Sequence, residues 1–275
     1  MIRFAQAVRM FFPGLGPPCG AVVLCVGLAL AAGCSQQPGA YPLAGAQGDF
    51  VKAREAYEQG HMLTAIELLE SFERNHPGSQ FIDDGLYYLG KAHQGNNEQL
   101  LGRQAFRRVV EDFPRSPYAE DARFEIARCW FLSVRGPQLD AEPAEEALRS
   151  FRVYLRRYPE GRHVEEAREA EQAVLAILAE KDLLNGRTYM RLGRSGAARR
   201  YFERSLEIWA ESPHSAQALD GIARSYEREG DWARAGEVYQ RLGAHLADHP
   251  ERFKDGESLA RRASEKLSEL PPDGG

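Results

Sequence analysis

Basic residues recur at matching positions along the chain, with aromatic residues one helical turn away. When the repeats of the chain are placed in one register, a basic column contains Arg54, Lys91, Arg128, Arg187 and Arg224. The second column contains Phe50, Tyr87, Phe124, Leu183 and Asp220. A guanidinium holds a carboxylate through two parallel hydrogen bonds, and aromatic rings hold apolar side chains. The two columns therefore favour an extended peptide that ends in a carboxylate.

The first three units of these columns form the predicted peptide-binding groove, with the residues Phe50, Arg54, Tyr87, Lys91, Phe124 and Arg128. Arg187 and Arg224, further along the basic column, are predicted to dock a partner protein. A simpler interpretation stays open, because exposed helix positions favour Arg and Lys in any protein. The columns also depend on the register in which the units are aligned.

Repeating helical hairpins must position these side chains. In each unit a small residue is followed four positions later by a large apolar residue, and a proline then closes the unit. The small residues are Ala65, Gly102, Ala147, Ala198 and Ala235. The large residues are Leu69, Phe106, Phe151, Phe202 and Tyr239. The closing prolines are Pro77, Pro114, Pro159, Pro213 and Pro250.

A repeat length in the mid-thirties with two helices per unit is typical of tetratricopeptide repeats. We therefore predict an all-α, tetratricopeptide-type superhelical solenoid of about five hairpins, with a capping helix over 255–270. Repeats one to three occupy 48–160, and repeats four and five with the cap occupy 161–275. An unrelated helical bundle stays open as the alternative, because periodicity alone does not exclude it.

Two repeats depart from the regular pattern. Repeat three places a long loop, 134–143, between helices predicted at 117–133 and 144–157. Loops of this length are frequent sites of contact in repeat proteins. Repeat four opens with a helical pattern over 163–192, which would either project beyond its neighbours or kink at Gly186.

The first 33 residues have the composition of a secretory signal, with Arg3 and Arg9 as their only charges. Their apolar stretch is too short to span a membrane comfortably. The end of this leader, Leu-Ala-Ala-Gly-Cys34, resembles a bacterial lipobox, in which Cys34 would be lipidated and become the first mature residue. The leucine lies one position further from the cysteine than is usual, so plain signal cleavage near Ala31 stays open. By resemblance to lipoproteins, Ser35 favours the outer membrane.

Residues 34–47 are rich in Gly, Pro and Gln and are predicted to be a flexible tether from the lipidated cysteine. The formal net charge of −5 argues against nucleic acid as the main partner, because no basic excess exists to neutralise phosphates. The scattered histidines show no metal-ligand spacing, and no phosphate loop or nucleophile elbow occurs. We therefore expect no catalytic residue, metal or cofactor. An enzyme with an unfamiliar site is the alternative from another class.

Several segments in order resemble one protein family over about 48–250. They are Arg54-Glu55-Ala56-Tyr57, the linker Phe113-Pro114-Arg115-Ser116-Pro117-Tyr118-Ala119, Ala147-Leu148-Arg149-Ser150-Phe151 with Tyr158-Pro159, and Leu178-Ala179 with Gly186, Tyr189 and Gly193. With the leader, they resemble the BamD or ComL-type lipoproteins of the outer-membrane β-barrel assembly machine.

This resemblance implies a lipid-anchored scaffold on the periplasmic face of the bacterial outer membrane. In the family, the first repeats are held to receive the C-terminal signals of unfolded barrel proteins. The last repeats dock the POTRA end of the barrel-forming subunit BamA, beside other assembly lipoproteins. The alternative within binding proteins is a Tol-associated or other periplasmic repeat protein that acts in envelope or division maintenance. The lipid anchor separates the two, because the Tol-associated type is usually a free periplasmic protein.

Overall fold

The computed structural model describes residues 45–137, 140–210, 212–247 and 250–269. Across these ranges the chain forms eleven α-helices and one short 3-10 helix, and it contains no strand. The predicted all-α class is therefore confirmed. The predicted signal peptide, Cys34 and nearly all of the predicted tether lie outside the described residues.

The helices follow one another as predicted for hairpin repeats. They are α1 (Ala46–Glu58), α2 (Met62–Asn75), α3 (Ile82–Gly95), α4 (Gln99–Asp112), α5 (Ala119–Leu132), α6 (Glu142–Arg157), α7 (Val164–Arg191), α8 (Ser195–Ile208), α9 (Ser215–Glu229), α10 (Trp232–Leu246) and α11 (Gly256–Glu269). The 3-10 helix, Pro250–Arg252, lies between α10 and α11. Helix α1 begins at Ala46, so the last two residues of the predicted tether are helical.

The described residues divide into two compact units, one that ends at residue 126 and one that begins at residue 127. The boundary lies within α5, whereas the sequence suggested a division between repeats three and four, after residue 160. In the first unit, the described helices enclose a core that contains Phe50, Leu69 and Phe72. In the second unit, a core that contains Phe202, Tyr239 and other apolar side chains extends to Leu259 of α11.

The small-then-large pattern builds these cores. All five small residues and all five large residues of the pattern are buried. Glycines on the first helix of a hairpin make room for the large ring on the second. A Cβ on Gly90 of α3 would lie 2.6 Å from the Phe106 ring of α4. The ring of Phe202 on α8 packs against two such glycines, since a Cβ added to Gly186 would lie 2.5 Å from the ring and one added to Gly221 would lie 2.6 Å from it. Glycine therefore brings the helices close enough for the ring to pack on backbone.

Turns between paired helices use residues that tolerate a left-handed backbone. Gly230 ends α9 with a φ of 77°, and Asn97 precedes α4 with a φ of 63°. Asp231 then caps α10, because its side chain accepts a hydrogen bond from the backbone N–H of Arg234 at 3.1 Å. These residues set where one helix stops and its partner starts.

The two irregular repeats are present in the structure. Helix α7 is 28 residues long and continues through Gly186, so the helix has no break at this glycine. In the predicted loop of repeat three, the described residues 134–137 and 140–141 are not helical, and α6 starts at Glu142, two residues earlier than expected. Cys129 is fully buried and free. In the described part of the chain, no helix combines the length and apolarity needed to cross a membrane.

Candidate functional site

Two of the three predicted groove aromatics are core residues. Phe50 is 4% exposed and Phe124 is 1% exposed. The Phe50 ring packs on Phe72 of α2 and on Phe81, with ring centroids 5.8 and 5.7 Å apart. The predicted column therefore falls on the side of α1 that packs inside the unit, and Phe50 and Phe124 do not line a groove. Tyr87 alone of the three is partly exposed.

The basic column in the first unit is engaged in ion pairs. The Arg54 Nε lies 3.3 Å from Glu58 Oε1, and the Arg54 side chain is 40% exposed. Lys91 Nζ donates to Glu125 Oε1 at 2.7 Å. Because Glu125 is buried, Lys91 neutralises a charge of the protein itself and helps to fix α5 against α3. Arg128 is partly buried and falls in the second unit. The structure thus does not bring the six predicted groove residues into one exposed surface.

The first unit instead gathers four partly exposed tyrosines, which we call the tyrosine surface: Tyr57, Tyr87, Tyr88 and Tyr118. The rings of Tyr87 and Tyr118 are stacked with centroids 4.6 Å apart. Tyr57 and Tyr88 meet edge to face at 5.4 Å, and Tyr87 and Tyr88 at 5.8 Å. The surface is continuous because each ring contacts the next.

Short spacings on two helices and one linker position the tyrosine surface. Tyr57 is three residues from Arg54 on α1, so both lie on one face of this helix. Asp84 is one helical turn before Tyr88 on α3 and accepts a hydrogen bond from the Tyr118 hydroxyl. Tyr118 itself ends the linker before α5, where its backbone N–H donates to Ser116 Oγ at 3.1 Å.

The environment of the tyrosine surface raises the pKa of three of its four hydroxyls. Burial raises the pKa of Tyr87, and the carboxylate of Glu125 raises it further. Burial and the hydrogen bond to Asp84 raise the pKa of Tyr118 to about 12. Burial also raises the pKa of Tyr88. At neutral pH Tyr87, Tyr88 and Tyr118 therefore offer ring faces and uncharged hydroxyls, which suit apolar or aromatic side chains and peptide groups.

Sequence reasoning identified Tyr87 but assigned no role to Tyr57, Tyr88 or Tyr118. Tyr57 and Tyr118 lie in the motifs that carry the family resemblance, and Tyr88 directly follows Tyr87. The sequence thus did contain an indication of this surface, since four of the eleven tyrosines of the chain fall within the first two hairpins and the linker that follows them. Aligning one position per repeat could not find them, since they occupy different repeat positions.

The second unit brings the predicted docking residues Arg187 and Arg224 into one cavity of about 460 Å³. Arg191, Arg228 and Arg262 also line this cavity, which we call the arginine pocket. Leu183 and Asp220, from the same predicted columns, are buried at 1% and 5% exposure. Among the described residues, no group of His, Cys, Asp or Glu side chains is placed to hold a metal ion.

The hairpins and the small-then-large packing define the chain as a tetratricopeptide-type helical repeat protein. The sequence profile of one family, described as "YfiO: Outer membrane lipoprotein", matches residues 46–242. The chain belongs to this family of outer membrane lipoproteins. The predicted membership of the BamD or ComL-type family is therefore confirmed.

Two relatives carry the name "Outer membrane protein assembly factor BamD". The chain is 27% identical to the protein from Caulobacter vibrioides over 169 residues, which is 62% of this chain and 55% of that relative. The chain therefore spans about half the length of this relative. It is 26% identical to the protein from Vibrio cholerae over 246 residues, which is 82% of this chain and 92% of that relative.

Solved tetratricopeptide structures are more distant. A repeat protein from Thermus thermophilus is 15% identical with a TM-score of 0.35, and the match covers 82% of this chain and all of that one. The TPR2AB domain of yeast Sti1 is 13% identical with a TM-score of 0.40, and the match covers 81% and 97% of the two chains. The TPR domain of P58(IPK) is 13% identical with a TM-score of 0.41, and the match covers 82% and 60%.

Proposed function

We propose that the chain is an outer-membrane protein assembly factor, a periplasmic scaffold of the β-barrel assembly machine. In this function it binds the barrel-forming subunit, a BamA-like POTRA and barrel protein, and it binds segments of unfolded outer-membrane proteins. Membership of the outer membrane lipoprotein family supports the proposal. The names of the Caulobacter and Vibrio relatives support it as well.

The tyrosine surface is the structural observation that carries the substrate-binding part of the proposal. A strand of a barrel protein alternates apolar and polar side chains, so an extended segment presents a row of apolar groups on one side. Four contiguous tyrosines accept such groups on their rings, and their neutral hydroxyls bond the peptide. Tyrosine side chains also lose little conformational entropy on binding, because each has only two dihedral angles to order.

Lipidation of Cys34 anchors the protein in this proposal, and residues 34–47 hold the repeats away from the membrane. The repeats then face the periplasm, where unfolded barrel proteins pass. The C-terminal hairpins, with Arg187 and Arg224, contact a partner protein. The chain acts by binding and needs no cofactor. A Tol-associated repeat protein is the alternative, and the family match over residues 46–242 favours the assembly factor.

Removing two rings from the tyrosine surface is expected to weaken substrate binding by roughly tenfold. Each aromatic contact is worth about 0.5–1.5 kcal/mol beyond buried area, so Tyr57→Ala with Tyr88→Ala removes about 1–3 kcal/mol. The measurement is fluorescence anisotropy with the full chain and a labelled peptide that has the alternating pattern of a barrel strand.

Two controls accompany this double variant. Tyr57→Phe with Tyr88→Phe keeps both rings and is expected to bind within about threefold of the parent, because the hydroxyls contribute less. Leu63→Ala changes a side chain that is 64% exposed in the same unit and is expected to change nothing. Equal binding by the alanine variant and the parent would exclude the tyrosine surface as the substrate site.

A further inference from the structure

A groove of about 450 Å³, which we call the linker groove, lies between the first two inter-repeat linkers of the first unit. Residues 79–83 form one wall, and residues 112–117 form the other. The walls are matching turns from successive repeats. In each turn a backbone N–H donates to the serine hydroxyl two residues earlier, at 3.2 Å for Ser79 and 3.1 Å for Ser116. Because each turn closes on its own side chain, the groove has well-defined walls.

The linker groove has an apolar floor and a charged rim. Ile82 belongs to the core of the first unit, and Phe113 packs against that core. Pro114 and Pro117 add exposed rings to one wall. The charged residues that line the groove are all partly or fully exposed, so solvent can screen them: Asp83, Asp112 and Arg115. An occupant must therefore cover apolar surface and needs no charge of its own.

The chain enters the repeats beside the linker groove. In the first turn of α1, Asp49 Oδ2 lies 2.9 Å from His76 Nε2. The ring of Phe50 is stacked on that of Phe81, with centroids 5.7 Å apart. His76 and Phe81 both belong to the linker that forms the first wall. These contacts place the start of α1 against that wall.

The sequence just before α1 has the composition that such a groove accepts. Residues 34–45 contain no Asp, Glu, Lys or Arg, and Tyr41 and Leu43 are their only large apolar side chains. An extended chain spans about 10 Å from Ala46 back to Leu43 and about 17 Å back to Tyr41. Neighbouring packed helices are about 8–10 Å apart, so a groove between successive hairpins is within this reach.

We propose that Tyr41-Pro42-Leu43 of this chain docks in the linker groove. A residue before proline favours an extended backbone, and proline fixes its own φ, so little conformational entropy is lost on docking. Extended proline-containing segments bind in this way to grooves lined by aromatic rings. A short covalent connection also gives the segment an effective concentration in the millimolar range, which an unlinked peptide must exceed to displace it.

The docked segment lies next to the tyrosine surface, because Pro117 of the groove directly precedes Tyr118. Residues 34–40 then connect the groove to Cys34, and seven residues span at most about 25 Å. Docking thereby limits how far the tyrosine surface stands from the membrane. This limit rests on the proposed function, in which Cys34 carries the lipid, whereas the docking itself does not.

Photo-cross-linking locates the segment in the full-length chain. The amino acid p-benzoylphenylalanine replaces Tyr41, which keeps an aromatic ring, and cells are irradiated before the cross-linked peptides are identified by mass spectrometry. Most cross-links are expected within the chain, to residues 79–83 or 112–117. The same amino acid in place of Gln36, which has no large apolar neighbour, is expected to give no preferred partner.

A titration tests whether the segment occupies the groove. An acetylated and amidated fluorescent peptide with the sequence of residues 39–45 is added to the full chain. Tyr41→Ser with Leu43→Ser is expected to bind this peptide roughly tenfold more tightly than the parent, because the competing segment is released. Gln36→Ser with Gln37→Ser keeps the apolar residues and is expected to behave like the parent. Adding Arg115→Glu to the first double variant is expected to change binding by less than about twofold, since the peptide is uncharged.

Several outcomes would overturn the proposal. Cross-links from position 41 to another protein would assign the linker groove to a partner, and a cross-linked dimer would assign it to a second copy. Equal peptide binding by the parent and by Tyr41→Ser with Leu43→Ser would remove the segment from the groove. The proposed function fails separately, because Tyr57 and Tyr88 do not line the groove and their variants report on the barrel-strand peptide alone.

Discussion

Phe202→Ala is expected to lower the free energy of unfolding of the C-terminal unit by about 3–5 kcal/mol, the range for large aromatic-to-alanine changes in a core. The Phe202 ring is 2% exposed and lies between the glycines of α7 and α9. Its removal leaves a cavity that the two flanking helices cannot fill without moving. All three tryptophans, Trp130, Trp209 and Trp232, lie in this unit. Tryptophan fluorescence during urea unfolding therefore reports on the unit that the substitution affects.

A substitution of Gly186 tests whether the Phe202 ring and the backbone of α7 contribute to stability through their contact with each other. Gly186→Ala gains about 1 kcal/mol of helix propensity but places a Cβ 2.5 Å from the ring, and overpacking costs about 1–3 kcal/mol. We expect Gly186→Ala to destabilise the parent chain, which contains the Phe202 ring. In the Phe202→Ala variant we expect the same substitution to be neutral or stabilising. Additive effects in this double-mutant cycle would contradict the packing described for the hairpin.

Arg204→Ala is expected to destabilise the C-terminal unit by about 2–3 kcal/mol. Asp182 is buried on α7, and Arg204 of α8 donates to it from both Nε, at 2.6 Å, and Nη2. Removal of the arginine leaves a buried carboxylate without these hydrogen bonds. The arginine side chain is 55% exposed, so solvent screens the pair and the loss falls below that of a fully buried one. Urea unfolding followed by tryptophan fluorescence measures the change.

An additional substitution of Asp182 shows whether the unpaired carboxylate causes the loss of stability in Arg204→Ala. The double variant Asp182→Ala with Arg204→Ala removes both charges and is expected to be about 1 kcal/mol more stable than Arg204→Ala alone. Arg200→Ala, at an exposed position of the same helix, is expected to change stability by less than about 0.5 kcal/mol. A double variant that is less stable than Arg204→Ala would show that packing, and not the orphaned carboxylate, dominates.

The hairpins were predictable from the sequence because local spacing determines them. The small residue, the large residue four positions later and the closing proline act within one or two helices. The resulting cores are buried as the pattern required. The long α7 and the capping helix followed from the same local periodicity. The start of α1 at Ala46 was missed, since a stretch rich in Gly, Pro and Gln gives no periodic signal before it.

The surface residues were harder to predict because their exposure depends on neighbouring helices. Phe50 and Phe124 occupy the expected repeat position, yet packing within the unit buries both. Lys91 was predicted as a ligand-binding group, but its partner Glu125 is 34 residues away in the chain. The tyrosine surface joins residues of two helices and a linker, which no single repeat position describes.

The sequence predicted some of the arginines of the arginine pocket but not the others. Arg187 and Arg224 came from aligning the repeats, and their neighbours Arg191 and Arg228 follow one helical turn later on the same helices. Arg262 lies on the capping helix, which does not share the repeat period, so alignment could not place it. The apolar residues that line the pocket could not be predicted either, because Met190 of α7 and Leu259 of α11 come together only when α7, α9 and α11 pack.

Co-purification from the native envelope tests the proposed assembly function most directly. The full-length chain is tagged at its C-terminus, the envelope is solubilised gently, and the bound proteins are identified with their amounts. Recovery of a large β-barrel protein with periplasmic POTRA domains, in near-equal amount and only after detergent extraction, is the predicted result. Recovery without detergent, together with Tol or division proteins and no barrel subunit, would contradict both the lipid anchor and the assembly function.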